Sequence, residues 1–292
     1  MPLADAFPEI IKRNEPLAPY THLKTGGPAE CLVQPRSVAE LAAVLAHCQK
    51  QRIPMRMLGG GYNLLVRDEP VPGAVVRLSG SEFAAIDIKG NTVRAGGGGS
   101  LFDLITATSK AGLRGLETLV GIRGTVGGSV RCNVGDRAGE IATYIRRVAV
   151  MTDTGTENIR GRDELTFGER SSDLDEPVIL WVEFELAPEK PEMLVKRMRK
   201  AWIARKAAEP LSYQSAVRMF RNPAGQTART LIEKAGLAKT RIGGAEVSDR
   251  NGNYAIAHPG TTAADILNLI DHVRESVKAS NGITLERELN VW

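Results

Sequence analysis

The sequence predicts an α+β protein in which three subdomains follow one another along the chain. Helical and strand patterns are interspersed over 292 residues, a length that favours two or three lobes over one small domain. Two glycine-rich segments, residues 58–68 and 121–135, each follow an apolar stretch. Glycine has no Cβ, so these backbones can approach an anion closely. Two such segments suggest the two sides of one large phosphorylated ligand.

The composition is that of an ordinary soluble globular protein, with 42% hydrophobic and 25% charged residues. No apolar run reaches the ~18–20 residues that span a bilayer, and the N-terminus lacks the basic start and apolar core of a secretory signal. We therefore expect a cytoplasmic protein with no membrane partner. A net charge of +4 is too small to favour nucleic acid as a partner. The cysteines and histidines have no metal-site spacing, so we expect no metal.

Helices are predicted where apolar residues recur at helical spacing between capping residues. Ser37 caps the first helix, Gly112 ends the second, and Thr262 with Asp265 forms a capping box at the start of the last. The predicted helices cover residues 38–46, 101–111, 194–208, 230–236 and 262–277.

Strands are predicted where short apolar or alternating runs lie between turn signals. A Gly90-Asn91 turn joins two of them into a hairpin. The C-terminal run alternates like a terminal strand. The predicted strands cover residues 53–58, 74–78, 85–88, 92–95, 148–155, 178–186 and 282–292.

The domain boundaries are predicted at residues 80 and 188. Residues 188–191, which are charged and contain proline, are the best candidate for a linker. The predicted domains are thus residues 1–80, 81–188 and 189–292.

The glycine segments do not match the common nucleotide-binding patterns. The fingerprint G-x-G-x-x-G followed by a distant acidic residue is absent, and so is G-x-x-x-x-G-K-[ST]. A tight turn is the simple structural explanation for residues 59–61. For residues 96–99 we accept a structural explanation, a loop that connects the end of a strand to the start of a helix.

With residues 21–29, the two glycine segments resemble the UDP-N-acetylenolpyruvoylglucosamine reductase family, of the vanillyl-alcohol-oxidase (PCMH) type of FAD-binding fold. The resemblance covers nearly the whole chain and is closest to the shorter subtype. It implies two FAD-binding lobes, residues 1–80 and 81–188, and a C-terminal α+β substrate-binding domain. The matching stretches are residues 16–21, 25–29, 58–68, 121–135, 167–174, 220–223, 231–237, 241–248 and 285–288.

The family implies an activity, two cofactors and a substrate. NADPH reduces FAD, and hydride then passes to the enolpyruvyl ether of a UDP-sugar, which gives UDP-N-acetylmuramate for peptidoglycan synthesis. The partners implied are small molecules, and we expect a monomer. The alternative is a non-catalytic or repurposed member that binds a nucleotide or UDP-sugar, possibly without flavin.

The cofactor-binding positions are carried over from the two glycine segments. Three residues depart from the family pattern, since Tyr62 replaces a serine, Arg123 replaces a proline and Val134 replaces a small residue. The candidate FAD-binding residues are Leu58, Gly59, Gly60, Gly61, Tyr62, Asn63, Leu64, Gly121, Ile122, Gly124, Thr125, Gly127, Gly128, Asn133 and Gly135. The family pattern also fails at Asp136-Arg137, where small residues are usual.

The catalytic positions implied by the resemblance are Arg170, Glu288 and Arg218. Arg170 is expected to polarise the substrate carboxylate, and Glu288 to support proton transfer. Arg218 stands where the family has its proton-donor serine, and an arginine cannot give up a proton usefully at neutral pH. Either water or another residue donates that proton, or the second half-reaction is impaired. Glu169 occupies the position of a family tyrosine.

The substrate-binding positions implied by the resemblance are Arg221, Asn222 and Ser248. Arg221 replaces a lysine, which keeps the charge and changes the geometry. Asn222 matches the family residue. These assignments complete the candidate site.

Overall fold

The computed structural model describes residues 1–136, 139–210 and 215–292, and it confirms the α+β class. Within these ranges there are seven α-helices: α1 (Leu3–Ala6), α2 (Val38–Gln51), α3 (Leu101–Lys110), α4 (Val126–Arg131), α5 (Pro191–Ala208), α6 (Ala228–Lys234) and α7 (Ala263–Asn281). Short 3-10 helices cover Pro8–Ile10, Ala18–Tyr20, Ser81–Ala84, Glu117–Leu119, Ile141–Tyr144 and Arg162–Glu164. None of the described helices is both long and apolar enough to cross a membrane.

The internal contacts of the chain divide it into two units, neither of which is continuous in sequence. The first unit comprises Met1–Glu15, Ala29–Gly60 and Pro72–Ile203, and the second comprises Pro16–Pro28, Gly61–Val71 and Ala204–Trp292. The first glycine segment therefore changes unit after Gly60. The division into three domains at residues 80 and 188 stays a prediction.

The expected linker at residues 188–191 belongs to the first unit and has regular structure. Its start lies in a small antiparallel ladder between Leu113–Arg114 and Ala187–Pro188. The amide of Glu189 donates to the carbonyl of Gly112 at 2.8 Å, and α5 begins at Pro191. The proline and charges that suggested a linker thus mark a turn from strand to helix.

A four-stranded sheet and α2 form one core of the first unit. The strands lie in the order Ile11–Pro16, Pro28–Val33, Val71–Val76, Met55–Met57. As predicted, Ser37 caps α2, and its hydroxyl accepts the amide of Glu40 at 3.2 Å. Leu41, Val44 and Leu45 are buried at helical spacing and pack into the core of this sheet.

A five-stranded antiparallel sheet forms the other core of the first unit. Its strands lie in the order Glu157–Gly161, Ile145–Met151, Val178–Glu185, Thr92–Gly96, Ile86–Lys89. The predicted hairpin is confirmed by the pairing of Lys89 with Thr92. One face of the sheet buries residues such as Val182 and Phe184 in the same core as Leu104 of α3.

The opposite face carries an ion cluster around Glu183. The Glu183 side chain is 5% exposed and accepts hydrogen bonds from Arg147, at 2.8 and 2.9 Å, and from Arg94, at 3.2 Å. The Arg94 guanidinium also lies 4.0 Å from the ring centroid of Trp181. These contacts join three adjacent strands of the sheet.

The second unit packs α6 and α7 against a four-stranded antiparallel sheet. Its strands lie in the order Ser215–Arg218, Tyr254–Ala257, Ala245–Val247, Arg241–Ile242. The predicted capping box of α7 is confirmed, since the Thr262 hydroxyl accepts the Asp265 amide and the Asp265 carboxylate accepts the Thr262 amide, each at 3.1 Å. Apolar residues of α7, including Ile266, Leu269 and Val273, fill the core.

The predicted terminal strand over residues 282–292 is wrong in extent. Only Asn290–Val291 is a strand, and it pairs in parallel with Leu64–Leu65. Upstream, Glu288 donates its amide to the carbonyl of Met219, at 2.9 Å. The alternation of the sequence does mark buried side chains, but the backbone moves from one partner segment to another and builds no long ladder.

We predict that Glu183→Gln destabilises the first unit by about 2 kcal/mol, because hydrogen bonds to a charged, buried carboxylate are lost. The hydrogen bond from Arg147, helped by Arg94, holds the pKa of the Glu183 carboxyl below its ordinary value. A lowered folded-state pKa adds stability above the ordinary value of about 4.3, and this stability disappears as pH falls through the folded value.

Urea denaturation between pH 7 and pH 3 measures this. The variant should show a smaller loss of unfolding free energy on acidification than the unmodified protein. Glu185→Gln, at an exposed position of the same strand, is the matched control and should change little. Equal pH dependence in both variants would contradict the assignment.

Candidate active site

The second glycine segment contains a short helix, α4, that the sequence analysis did not predict. Gly121 and Gly124 have positive φ values of 89° and 147°, and they turn the backbone before α4 begins. Thr125 caps α4, and its hydroxyl accepts the amide of Gly128 at 3.3 Å. Val130 is fully buried, which attaches the helix to the core of the five-stranded sheet.

Two of the predicted cofactor glycines have their amides occupied by the protein. The amide of Gly127 donates to the carbonyl of Gly97 at 2.8 Å, and that of Gly128 is bound by Thr125. A Cβ on Gly127 would lie 3.0 Å from the Gly97 carbonyl oxygen. Gly127 and Gly128 therefore build the close packing and the cap of α4. Gly97 belongs to the glycine run that we had assigned only to a connecting loop.

Other amides of the two segments remain available. Among the described residues, the amides of Gly59, Gly60, Gly121 and Gly124 have no hydrogen-bond acceptor. A Cβ on Gly59 would lie 3.1 Å from the hydroxyl oxygen of Thr125, so the two glycine segments meet inside the first unit. This arrangement of bare backbone and unused donors fits an anionic group such as a pyrophosphate.

Several predicted cofactor residues also pack against the protein. Leu58 is 3% exposed, and Ile122 and Val134 pack against the core of the five-stranded sheet. Gly135 pairs with Glu140, and a Cβ at Gly135 would meet the Gly139 carbonyl closer than van der Waals contact allows. These residues form the scaffold beneath the segment. Arg123, beside them, is exposed.

Asn133 is a buried link between the second glycine segment and the segment that carries Arg170. It is 1% exposed and has a positive φ of 38°. Its side-chain Nδ2 donates to Glu140 at 2.8 Å and to the Gly168 carbonyl at 2.9 Å. Its Oδ1 accepts the amide of Ala142 at 3.3 Å. The amide group is thus used by the protein, and Asn133 supports the site from within.

Arg170 lies at the turn of a short hairpin formed by Phe167–Gly168 and Ser171–Ser172. Its φ of 56° is in the left-handed region, which costs a residue with a Cβ about 1 kcal/mol or more. The hairpin is fixed on both strands, by Asn133 at Gly168 and by the Ser172 hydroxyl, which donates to the Arg131 carbonyl at 2.9 Å. Glu169 is exposed at the same turn.

Arg131 is a supporting residue that the sequence analysis missed. Its guanidinium donates to the carbonyls of Leu174, Glu176 (2.6 Å) and Pro177 (3.4 Å), and burial lowers its pKa. It therefore ties the end of α4 to the chain that follows the Arg170 hairpin. A basic residue in the last turn of a helix is the usual signal, but we had not predicted this helix.

The remaining part of the first glycine segment belongs to the second unit. Gly61 has a φ of 67°, and its carbonyl accepts the amide of His22 at 3.0 Å. Tyr62 is 39% exposed, with its ring centroid 5.0 Å from that of His22. Leu64 is 7% exposed and in the strand paired with the C-terminus, whereas Asn63 donates its Nδ2 to the Glu288 carbonyl at 3.4 Å.

The structure brings the predicted catalytic residues Arg218 and Glu288 together. The Nε of Arg218 lies 3.1 Å from Oε2 of Glu288, and the two side chains are 23% and 10% exposed. Asn253 fixes the adjoining backbone, because its Oδ1 accepts the Phe220 amide at 3.0 Å and its Nδ2 donates to the Phe220 carbonyl at 2.7 Å. This role of Asn253 was not predicted from the sequence.

The predicted substrate residues differ in what they offer a ligand. Arg221 and Asn222 are exposed, and the Asn222 side chain also accepts the Ala228 amide at the start of α6, at 3.1 Å. Ser248 is 1% exposed, and its hydroxyl accepts the amide of Arg250 at 3.2 Å. Ser248 therefore has a structural role in a local turn.

Asp68, at the end of the first glycine segment, supports the fold. Both of its carboxylate oxygens lie within 3.2 Å of the Ala263 amide at the start of α7. A carboxylate at a helix N-terminus is favourable.

Within the described ranges we find no group of three acidic, histidine or cysteine side chains that could hold a metal ion.

Comparison with known proteins places this chain in a family. A model of an FAD-binding domain matches residues 29–158, and a model of the UDP-N-acetylenolpyruvoylglucosamine reductase C-terminal domain matches residues 209–292. UDP-N-acetylenolpyruvoylglucosamine reductase 2 of Symbiobacterium thermophilum is 38% identical over 287 residues, which are 98% of this chain and 93% of the relative. This chain belongs to the UDP-N-acetylenolpyruvoylglucosamine reductase family. The resemblance noted in the sequence is thus confirmed.

Further relatives of the reductase family agree along the whole chain. The reductase of Moorella thermoacetica is 39% identical over 283 residues, 97% of this chain and 93% of the relative. The crystal structure of the Thermus caldophilus reductase has 37% identity and a TM-score of 0.84, with 97% of this chain and 98% of that one covered. The expected FAD-binding fold of the vanillyl-alcohol-oxidase type is confirmed by these matches.

We predict that Asn133→Ala destabilises the first unit by about 2–4 kcal/mol, because the Gly168 carbonyl and the Ala142 amide lose a buried partner. Chemical denaturation measures the change. Asn133→Gly removes the same bonds but relieves the positive φ, so it should be less harmful than the alanine variant by about 1 kcal/mol. Asn158→Ala, at an exposed strand position, is the control. Equal stability of the Asn133→Ala variant and this control would contradict the assigned link.

Proposed function

We propose that this chain is an FAD-dependent reductase that uses NADPH to convert the enolpyruvyl ether of UDP-N-acetylglucosamine to UDP-N-acetylmuramate. The observation that carries the proposal is that Gly59 lies against Thr125 in a chain of this family, so that the two glycine segments meet. Both segments have backbone amides with no protein acceptor among the described residues. We further propose that it acts in the cytoplasm and that it is a monomer. Sedimentation analysis tests the oligomeric state.

FAD fits the residues that are present. The amides of Gly59, Gly60, Gly121 and Gly124 would hold its pyrophosphate, because bare glycine backbone allows the close approach that phosphate oxygens need. Arg123, exposed on the same segment, adds a positive charge for that group. The chemistry that FAD supplies when bound is hydride transfer from NADPH to the enolpyruvyl carbon.

The residues of the chain must then manage the charge and the proton. Reduction of the carbon–carbon double bond adds a hydride to one carbon and a proton to the other. After the hydride has been added and before the proton arrives, negative charge spreads onto the substrate carboxylate. Arg170 is suited to that charge, since its guanidinium presents a planar fork of donors on a fixed hairpin. Glu288 is suited to move the proton, because its carboxylate is held in a defined place.

We predict that the purified protein binds FAD and turns yellow, and a flavin absorbance titration measures this. Under anaerobic conditions NADPH should bleach the flavin, and the enolpyruvyl substrate should restore the colour. Rapid-mixing absorbance separates the two steps. Failure to bind FAD would refute the proposal. Bleaching without recovery would favour a member that has lost or changed its substrate.

We predict that Arg170→Gln lowers kcat by about 10²–10³-fold, because a donor aimed at developing charge is lost. Steady-state kinetics with NADPH measures the loss, and FAD affinity should be unchanged. Arg36→Gln, in an exposed pair with Glu40, is the matched control and should keep full activity. Full activity of the Arg170→Gln variant would contradict the role assigned to Arg170 in the reaction.

A further inference from the structure

The ion pair between Arg218 and Glu288 leaves part of the guanidinium unused. An arginine carries five N–H donors in a planar arrangement. Nε faces Oε2 of Glu288 at 3.1 Å, and among the described residues the terminal nitrogens of Arg218 have no hydrogen-bond partner. A cation that is only 23% exposed is thus held by one edge, with its other edge open.

The backbone on both sides of this pair is fixed. Arg218 ends a strand of the four-stranded sheet and lies opposite Tyr254. The next residue, Met219, donates its amide to the Asn253 carbonyl and accepts the amide of Glu288, both at 2.9 Å. The Arg218 side chain therefore extends from a backbone that is fixed by hydrogen bonds on both sides.

The same pair adjoins the first glycine segment inside the second unit. Asn63 donates to the Glu288 carbonyl at 3.4 Å and accepts the amide of Asn290 at 3.2 Å. A segment proposed to hold the cofactor is thus bonded directly to the residue that pairs with Arg218.

A fixed guanidinium with an open edge matches a carboxylate. Two parallel N–H donors bind the two oxygens of such a group, and a partly buried site strengthens the bond. The Glu288 carboxylate occupies a different edge, so the cation can lie between two carboxylates. An arginine is also unable to act as the acid, since its proton is not released near neutral pH.

We propose that Arg218 binds the carboxylate of the enolpyruvyl group, and that Glu288 orients the guanidinium for this contact. The inference rests on the proposed function, because it takes the enolpyruvyl ether as the substrate. It gives Arg218 a role in recognising negative charge, distinct from proton donation.

Calorimetric titration of the oxidised, FAD-loaded enzyme tests the proposal without turnover. The two probes are the enolpyruvyl ether and its carboxamide analogue, which differ only in the charged group. The unmodified enzyme should prefer the carboxylate. Arg218→Gln should weaken binding of the carboxylate by roughly ten- to a hundredfold and leave the carboxamide unchanged.

Arg218→Lys keeps a positive charge beside Glu288 and so protects the fold, but an ammonium cannot make two parallel bonds. This variant should lose part of the preference for the carboxylate over the carboxamide. It therefore tests the proposal even if the glutamine variant is unstable. Arg229→Gln, in an exposed pair on α6, is the control and should match the unmodified enzyme.

Two results would overturn the inference alone. One is an unchanged preference for the carboxylate in Arg218→Gln and Arg218→Lys. The other is an equal loss of affinity for both probes, which a merely structural role would produce. Binding of neither probe by the unmodified enzyme would overturn the proposed function as well, so the two failures can be told apart.

Discussion

The backbone contact between Gly127 and Gly97 is the constraint on which the candidate site of the first unit depends. It seats α4 directly against the end of a strand, at a separation that leaves very little room for a Cβ. Once α4 is seated, Thr125 faces Gly59, and Arg131 and Asn133 hold the hairpin that carries Arg170. One segment therefore contains both the glycines that pack or cap α4, Gly127 and Gly128, and the glycines proposed to bind an anion, Gly121 and Gly124.

Much of the fold could be predicted because local signals act over short distances. Ser37 and the Thr262–Asp265 pair marked helix starts that the structure reproduces, since a cap is made within one turn. The short helix α4 could not be predicted this way. Two glycines in its first turn lower helix propensity, and its stability comes from the buried Val130 and from the contact with Gly97.

The candidate site was predictable in location and less so in role. Family resemblance identified Arg218 and Glu288, but only the fold shows that they touch, because residues distant in sequence meet through the Met219 backbone. Burial adds a structural role to other assignments, which stay predictions. Asn133 and Ser248 are buried polar residues in matching motifs, and their side chains also make internal hydrogen bonds. The residue types in the sequence reveal which chemical groups are present. The hydrogen-bond and ion-pair partners of those groups, which only the fold shows, decide what the groups can do.

The discontinuous composition of the two units has a consequence for biosynthesis. Residues Pro16–Pro28 and Gly61–Val71 leave the ribosome early, but the rest of their unit, Ala204–Trp292, is made last. Leu64–Leu65 cannot gain its strand partner until Asn290–Val291 has been translated. These two stretches of nascent chain can bond to each other but must wait for the rest of their unit, which leaves apolar residues such as Leu65 exposed to the cell's chaperones in the meantime. Neither unit can be produced by cutting the gene at a single point.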